Sequence, residues 1–142
     1  MHISYDDLVT EKRVLCGPCA LARAGLCTYS TVLLFLETPY KEIDGICAAC
    51  ITYWYYPSID YEYELTPTDN NPLILQPSKE RALVEFIMYS KATDEGILIE
   101  AMQNYLLWFR NDEKLYKCAD HFNVSREAID YWIREAEEDE EV

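Results

Sequence analysis

The stretch from Glu113 to Glu138 limits the folds open to this chain more than any other. It reads as a helix, a tight turn and a second helix. Ala119 supplies the small residue needed where the two helices cross, and Asn123 tolerates a left-handed backbone at the turn better than most residues. Phe122 and Val124 flank the turn, while Ile129, Trp132 and Ile133 line the inner face of the second helix. Ser125 is suited to cap that helix. A helix-turn-helix shape follows, and a shape by itself names no ligand.

The rest of the chain divides by hydrophobic pattern. A helix is expected within 5–26, with Pro18 in its first turn and Gly25 near its end. Thr28 to Leu36 is apolar and β-branched, which favours a strand. Asp44-Gly45, between Ile43 and Ile46, predicts a hairpin turn. Ile51 to Tyr56 is rich in sheet-forming residues, and Pro57 to Asp60 forms a turn. Tyr61, Tyr63 and Leu65 alternate with Glu62 and Glu64, as in a half-buried strand. Thr66 to Pro72 reads as a surface loop, and Leu73 to Leu75 as a last short strand.

From Pro77 the period becomes helical. Ser78 caps a helix running to about Ser90, and Thr93 or Asp94 caps another reaching about Arg110. The expectation is a single α+β domain over 1–138. An N-terminal helix and a small antiparallel sheet occupy 1–76, a helical block ending in a helix-turn-helix-like hairpin occupies 77–138, and 139–142 is an acidic tail.

Charge narrows the function. With 12 basic and 26 acidic residues, the net charge is −14. Such a surface repels nucleic acid and anionic membranes on average and suits a basic protein partner. No apolar run reaches membrane-spanning length, and the start of the chain does not resemble a secretory signal, so a cytoplasmic location is expected. Direct DNA binding by the second helix of the hairpin is disfavoured because Ser125 to Val142 holds two basic and eight acidic residues. Its outer residues Arg126, Glu127, Asp130, Tyr131, Arg134, Glu135 and Glu138 are instead the candidate partner-binding surface. No phosphate loop, nucleophile elbow or zinc-protease helix is present, and a non-enzymatic protein is expected.

Six cysteines carry the remaining chemistry. Cys16 and Cys19, with Cys47 and Cys50, form two pairs that can each supply one side of a tetrahedral zinc. Burial as plain thiols is the alternative. Cys16-Gly17-Pro18-Cys19 also resembles the tetrapeptide of the thioredoxin family, although Leu15 replaces its usual tryptophan and no strand precedes it in a βαβ pattern.

Pro77-Ser78-Lys79-Glu80-Arg81-Ala82-Leu83-Val84-Glu85, followed by Glu95 to Met102, resembles two helices of the abortive-infection type antitoxins and related mobile-element regulators. That resemblance implies a small regulator that counters a partner protein and binds DNA. The acidic charge favours the protein partner. Two other readings stay open: an acidic, nucleic-acid-mimicking inhibitor of the anti-defence type, and a small protein with a structural zinc.

Overall fold

A computed structural model describes residues 9–28, 33–89 and 94–138. Six short strands and five α-helices occur among them, in an α+β arrangement. The strands are β1 (Arg13–Val14), β2 (Leu34–Thr38), β3 (Cys47–Ala48), β4 (Ile51–Tyr55), β5 (Leu65–Pro67) and β6 (Ile74–Pro77). The helices are α1 (Gly17–Arg23), α2 (Lys79–Met88), α3 (Glu95–Trp108), α4 (Asp112–His121) and α5 (Arg126–Glu138).

The expected small antiparallel sheet is replaced by two three-stranded mixed sheets. One has the order β1-β6-β5, with β1 parallel and β5 antiparallel to β6. The other has the order β2-β4-β3, with β2 parallel and β3 antiparallel to β4. Alternation along a strand tells which face is buried and says nothing about the direction of its neighbour, so the parallel pairings left no local trace. The two sheets meet where Leu15 bridges Leu36 and Cys16 N–H donates to the Phe35 carbonyl (2.9 Å).

The helix expected within 5–26 is Gly17–Arg23, with Pro18 in its first turn and β1 ahead of it. Local chemistry explains two further corrections. The hairpin does not turn at Asp44-Gly45. It turns at Ala49 and Cys50, both at positive φ (53° and 62°), between the paired residues Ala48 and Ile51. Two positive-φ residues give the backbone twist that closes a two-residue hairpin, here without glycine. Asp44 instead follows a short 3-10 turn (Lys41–Ile43), and its carboxylate accepts from Tyr55 N–H (3.0 Å) and Tyr89 O–H (2.6 Å).

Second, Tyr61 to Glu64 is a turn, and strand structure begins at Leu65. The Asp60 carboxylate accepts from Glu62 N–H (2.9 Å) and Tyr63 N–H (3.1 Å), an aspartate turn that competes with the ladder. The helix starts fare better. Ser78, Asp94 and Asn111 each accept a backbone N–H three residues on, at 3.1 Å in every case. Thr93, the other cap candidate, lies outside the described residues, as do Ser90 and the tail 139–142.

α2 is the centre of the molecule and packs on α1, α3 and α4. Every residue from Glu80 to Phe86 is buried. It therefore carries charged side chains into the interior, beside Leu21, Leu36, Leu83, Met102 and Leu115 of the hydrophobic core. Gly17 is needed where α1 approaches β2 and β4. It has φ +62°, and a Cβ there would sit 3.1 Å from the Trp54 ring and 3.2 Å from Phe35.

Candidate functional site

The α4–α5 connection shows how the sequence builds its surface. Asn123 adopts φ 58°, Asn123 N–H donates to the Asp120 carbonyl (3.2 Å), and Val124 N–H donates to that of Ala119 (2.8 Å). This paired bonding satisfies the last carbonyls of α4 and reverses the chain. Ser125 Oγ then accepts from Ala128 N–H (3.1 Å) and opens α5. Ile129, Ile133 and Ala136 face the core, and Trp132 is half-buried against it.

The residues expected to contact a partner lie along the rest of α5. Arg126, Glu127, Tyr131, Arg134 and Glu138 are exposed, while Asp130 and Glu135 are half-buried. Two are committed internally. Arg126 pairs with Asp120 (2.8 Å) and lies over the Tyr116 ring, and Asp130 accepts from Tyr116 O–H. Near the end of α5, α3 closes in an exposed apolar cluster. Leu107 is 66% exposed, Trp108 69% and Phe109 42%. Arg110 ties this end of α3 to α5 through Glu137 (4.0 Å), and it also pairs with Asp112 (2.9 Å). Lys79 lies over the Phe109 ring.

The four candidate zinc ligands fall in two places. Cys16 and Cys19 are buried at the start of α1. Cys19 Sγ lies 3.4 Å from the Cys16 carbonyl and accepts from Phe35 N–H (3.3 Å). Cys47 is exposed on β3 and Cys50 sits in the hairpin turn. Among the described residues, no three His, Cys, Asp or Glu side chains are grouped to hold a metal ion. A strand, β1, precedes Cys16, and its parallel partner is the distant β6, not β2, the strand that follows α1. Burial first, and the Glu37 charge second, push the Cys16 thiol well above its ordinary value. A nucleophilic thiol of the thioredoxin kind needs the opposite shift.

The most unusual electrostatics lie deeper, at residues the sequence did not single out. Arg81 on α2 is completely buried (0% exposed). Its Nε–H donates to Glu85 Oε1 (3.2 Å) and Nη2 to Glu85 Oε2 (3.4 Å). Nη1 donates to the Tyr63 carbonyl (2.5 Å) and Nη2 to the Asp60 carbonyl (2.8 Å). Glu37, near the end of β2 and 1% exposed, is the second carboxylate of the cluster. It lies 3.9 Å from Arg81 Nη2, and neither of its oxygens has a hydrogen-bond donor. Burial, then the Glu85 charge and a hydrogen bond to Glu85, raise the Glu37 carboxyl well above its ordinary 4.5, and Arg81 offsets only part of this. Two carboxylates beside one guanidinium cannot both ionise cheaply, so the cluster favours the neutral form of Glu37.

No family model matches the chain, and no curated protein matches it.

Above this cluster opens a cleft of about 450 Å³. Glu37 and Glu85 line it together with Tyr56, the 57–60 turn, Met88, and His121 to Asn123 at the end of α4. At one edge His121 Nε2 lies 2.8 Å from Asp60 Oδ2, and the imidazole stacks on Tyr63 with ring centroids 3.8 Å apart. Hydrogen bonds from Glu62 N–H first, and from His121 second, lower the Asp60 carboxyl. Tyr56 O–H donates to the Glu85 backbone carbonyl (3.0 Å), and burial raises its phenol. Two signals in the sequence pointed here. Arg81 and Glu85 are four apart on one helix, and Glu37 closes the apolar run Leu34 to Leu36.

Proposed function

We propose that this chain is a non-enzymatic regulatory protein that acts by contacting a basic partner protein, in the manner of the antitoxin-like regulators that its helical block resembles. The observation that carries this reading is the exposed Leu107, Trp108 and Phe109 at the end of α3, where Arg110 pairs with Glu137 near the end of α5. Exposed tryptophan with flanking charge is the composition of an interface centre and rim. The α4–α5 pair then serves as a helix-turn-helix-like hairpin that displays Tyr131, Arg134, Glu135 and Glu138 on its outer side. Arg126, already paired with Asp120, is poorly placed to hold phosphate.

The test is capture from a cell lysate by the wild-type chain and by a Leu107→Ser, Trp108→Asp variant. A basic protein retained by the first and lost by the second supports the reading. Equal capture by both refutes it. Retardation of duplex DNA in a low-salt gel would move the assignment to a DNA regulator.

The inhibitor reading requires free carboxylates spaced like phosphates. Glu64 with Lys114 (3.4 Å), Glu137 with Arg110 (4.0 Å) and Asp130 with Tyr116 all speak for the protein-binding reading instead. A structural zinc on Cys16, Cys19, Cys47 and Cys50 is tested by elemental analysis of purified protein, where a ratio near zero rejects it.

A further inference from the structure

We propose that the cleft between the 57–60 turn, α2 and the α4–α5 turn binds a primary alkylammonium, with Glu37 as the acceptor at its floor. The inference is independent of the partner surface on α3 and α5.

The site is built around an unmet requirement. Arg81 has distributed its donors over Glu85, Tyr63 and Asp60. Glu37, buried to all but 1% and lining the cleft, is left when ionised with two acceptor oxygens and no donor. The charged groups around it are Arg81 and Glu85 from α2, with the thiol of Cys16 ahead of α1 and the phenol of Tyr56 after β4. With Glu37 ionised, two carboxylates face one guanidinium, and the cluster lacks one positive charge. A ligand cation supplies both the charge and the N–H donors.

The shape of the cation follows from what is already occupied. Arg81 takes the planar, two-pronged position on Glu85, so a second guanidinium has no matching fork. An ammonium is a compact point charge whose donors can be directed at Glu37 alone. Tyr56, Met88 and Phe122 give the cleft apolar and aromatic walls for an alkyl chain. The volume, about 450 Å³, is within the range of small-molecule sites. The ammonium competes with a proton for Glu37, whose neutral form burial favours. Binding therefore strengthens as pH rises.

The probe is butylammonium chloride, followed by NMR of the Met88 methyl group and the Tyr56 ring, with tetramethylammonium chloride as a cation of equal charge and no N–H donor. Saturable shifts are expected with butylammonium, in the millimolar range and tightening with pH, and not with tetramethylammonium. Glu37→Gln is expected to weaken binding at least about tenfold, because a hydrogen-bonded charge pair is lost. Its amide can still donate to Glu85, so the fold is expected to persist. Should that variant not fold, Ser58→Arg changes only an exposed turn residue beside the cleft, places a competing cation at the mouth, and is expected to weaken binding as well. Equal response to both cations, or unchanged affinity in the folded variant, overturns the proposal. An arm with Nα-acetyl-lysine methylamide separates the sources. Binding by it supports a lysyl side chain as the ligand, binding by butylammonium alone supports a free amine, and binding by neither overturns the site.

Discussion

Replacing Arg81 by Met tests the central electrostatic claim. Methionine fills most of the volume of the aliphatic stem and removes the guanidinium. Glu85 then loses a two-pronged ion pair at 3.2 and 3.4 Å, and Glu37 loses the nearest cation. Removing one partner of a buried pair costs ~3–5 kcal/mol. The carbonyls of Asp60 and Tyr63 also lose a donor each, but both residues are half-exposed and water can replace it, so this adds little. The expected loss is thus about 4 kcal/mol near neutral pH, a large part of the ~5–15 kcal/mol that holds a domain folded. Urea unfolding followed by circular dichroism measures it. The deficit should shrink as pH falls, because protonating Glu37 removes part of the uncompensated charge. A companion variant, Glu37→Leu with Arg81→Met and Glu85→Leu, removes charge and countercharge together and should recover most of the loss. A deficit under about 1 kcal/mol, or a triple variant no better than the single one, would refute the reasoning: charge burial would not be what Arg81 balances.

Other outcomes follow from single residues. Glu37→Gln should stabilise the protein above the ordinary carboxyl value of 4.5 and have no effect below it. The folded chain holds the Glu37 proton that the unfolded chain has lost, so wild-type stability falls as pH rises from 4.5 towards the raised value, by about 1.4 kcal/mol per pH unit. A pH series of unfolding midpoints for both proteins checks this, and parallel curves would contradict it. Asn123→Ala should cost about 1 kcal/mol and Asn123→Gly should not, since the position is left-handed at φ 58°; thermal melts distinguish them. Ala49→Asn with Cys50→Gly should stabilise the hairpin by about 1 kcal/mol, because both positions require positive φ. If a zinc holds Cys50, the same change will destabilise the metal-loaded protein instead.

Much of the helical half was legible in the sequence because its determinants are local. Ser78, Asp94 and Ser125 accept bonds from N–H groups three residues away, and Asn123 needs only its own backbone to turn. The inner face of α5 could be read from spacing alone, since Ile129, Ile133 and Ala136 repeat at helical period. The hairpin at Ala49-Cys50 was hidden because neither residue is a usual turn former, whereas Asp44-Gly45 is one and was drawn into another task. The exposed cluster at Leu107, Trp108 and Phe109 is set by tertiary packing, because periodicity finds an apolar stripe without saying where the neighbouring helix stops covering it.

The opening stretch, 113–138, was therefore determined by the sequence itself: two helices, a left-handed asparagine between them, and an apolar face on the second. Tertiary structure alone decided what that stretch stands beside. Asp60 lies 61 positions from His121 and yet shares a hydrogen bond with it. Glu37 and Arg81 come from a strand and a helix in different parts of the chain, and only packing brings them to 3.9 Å. A carboxylate reads in sequence as a solvated charge. Its burial, its raised affinity for a proton and its place on a cleft floor depend on what the whole fold takes out of water around it.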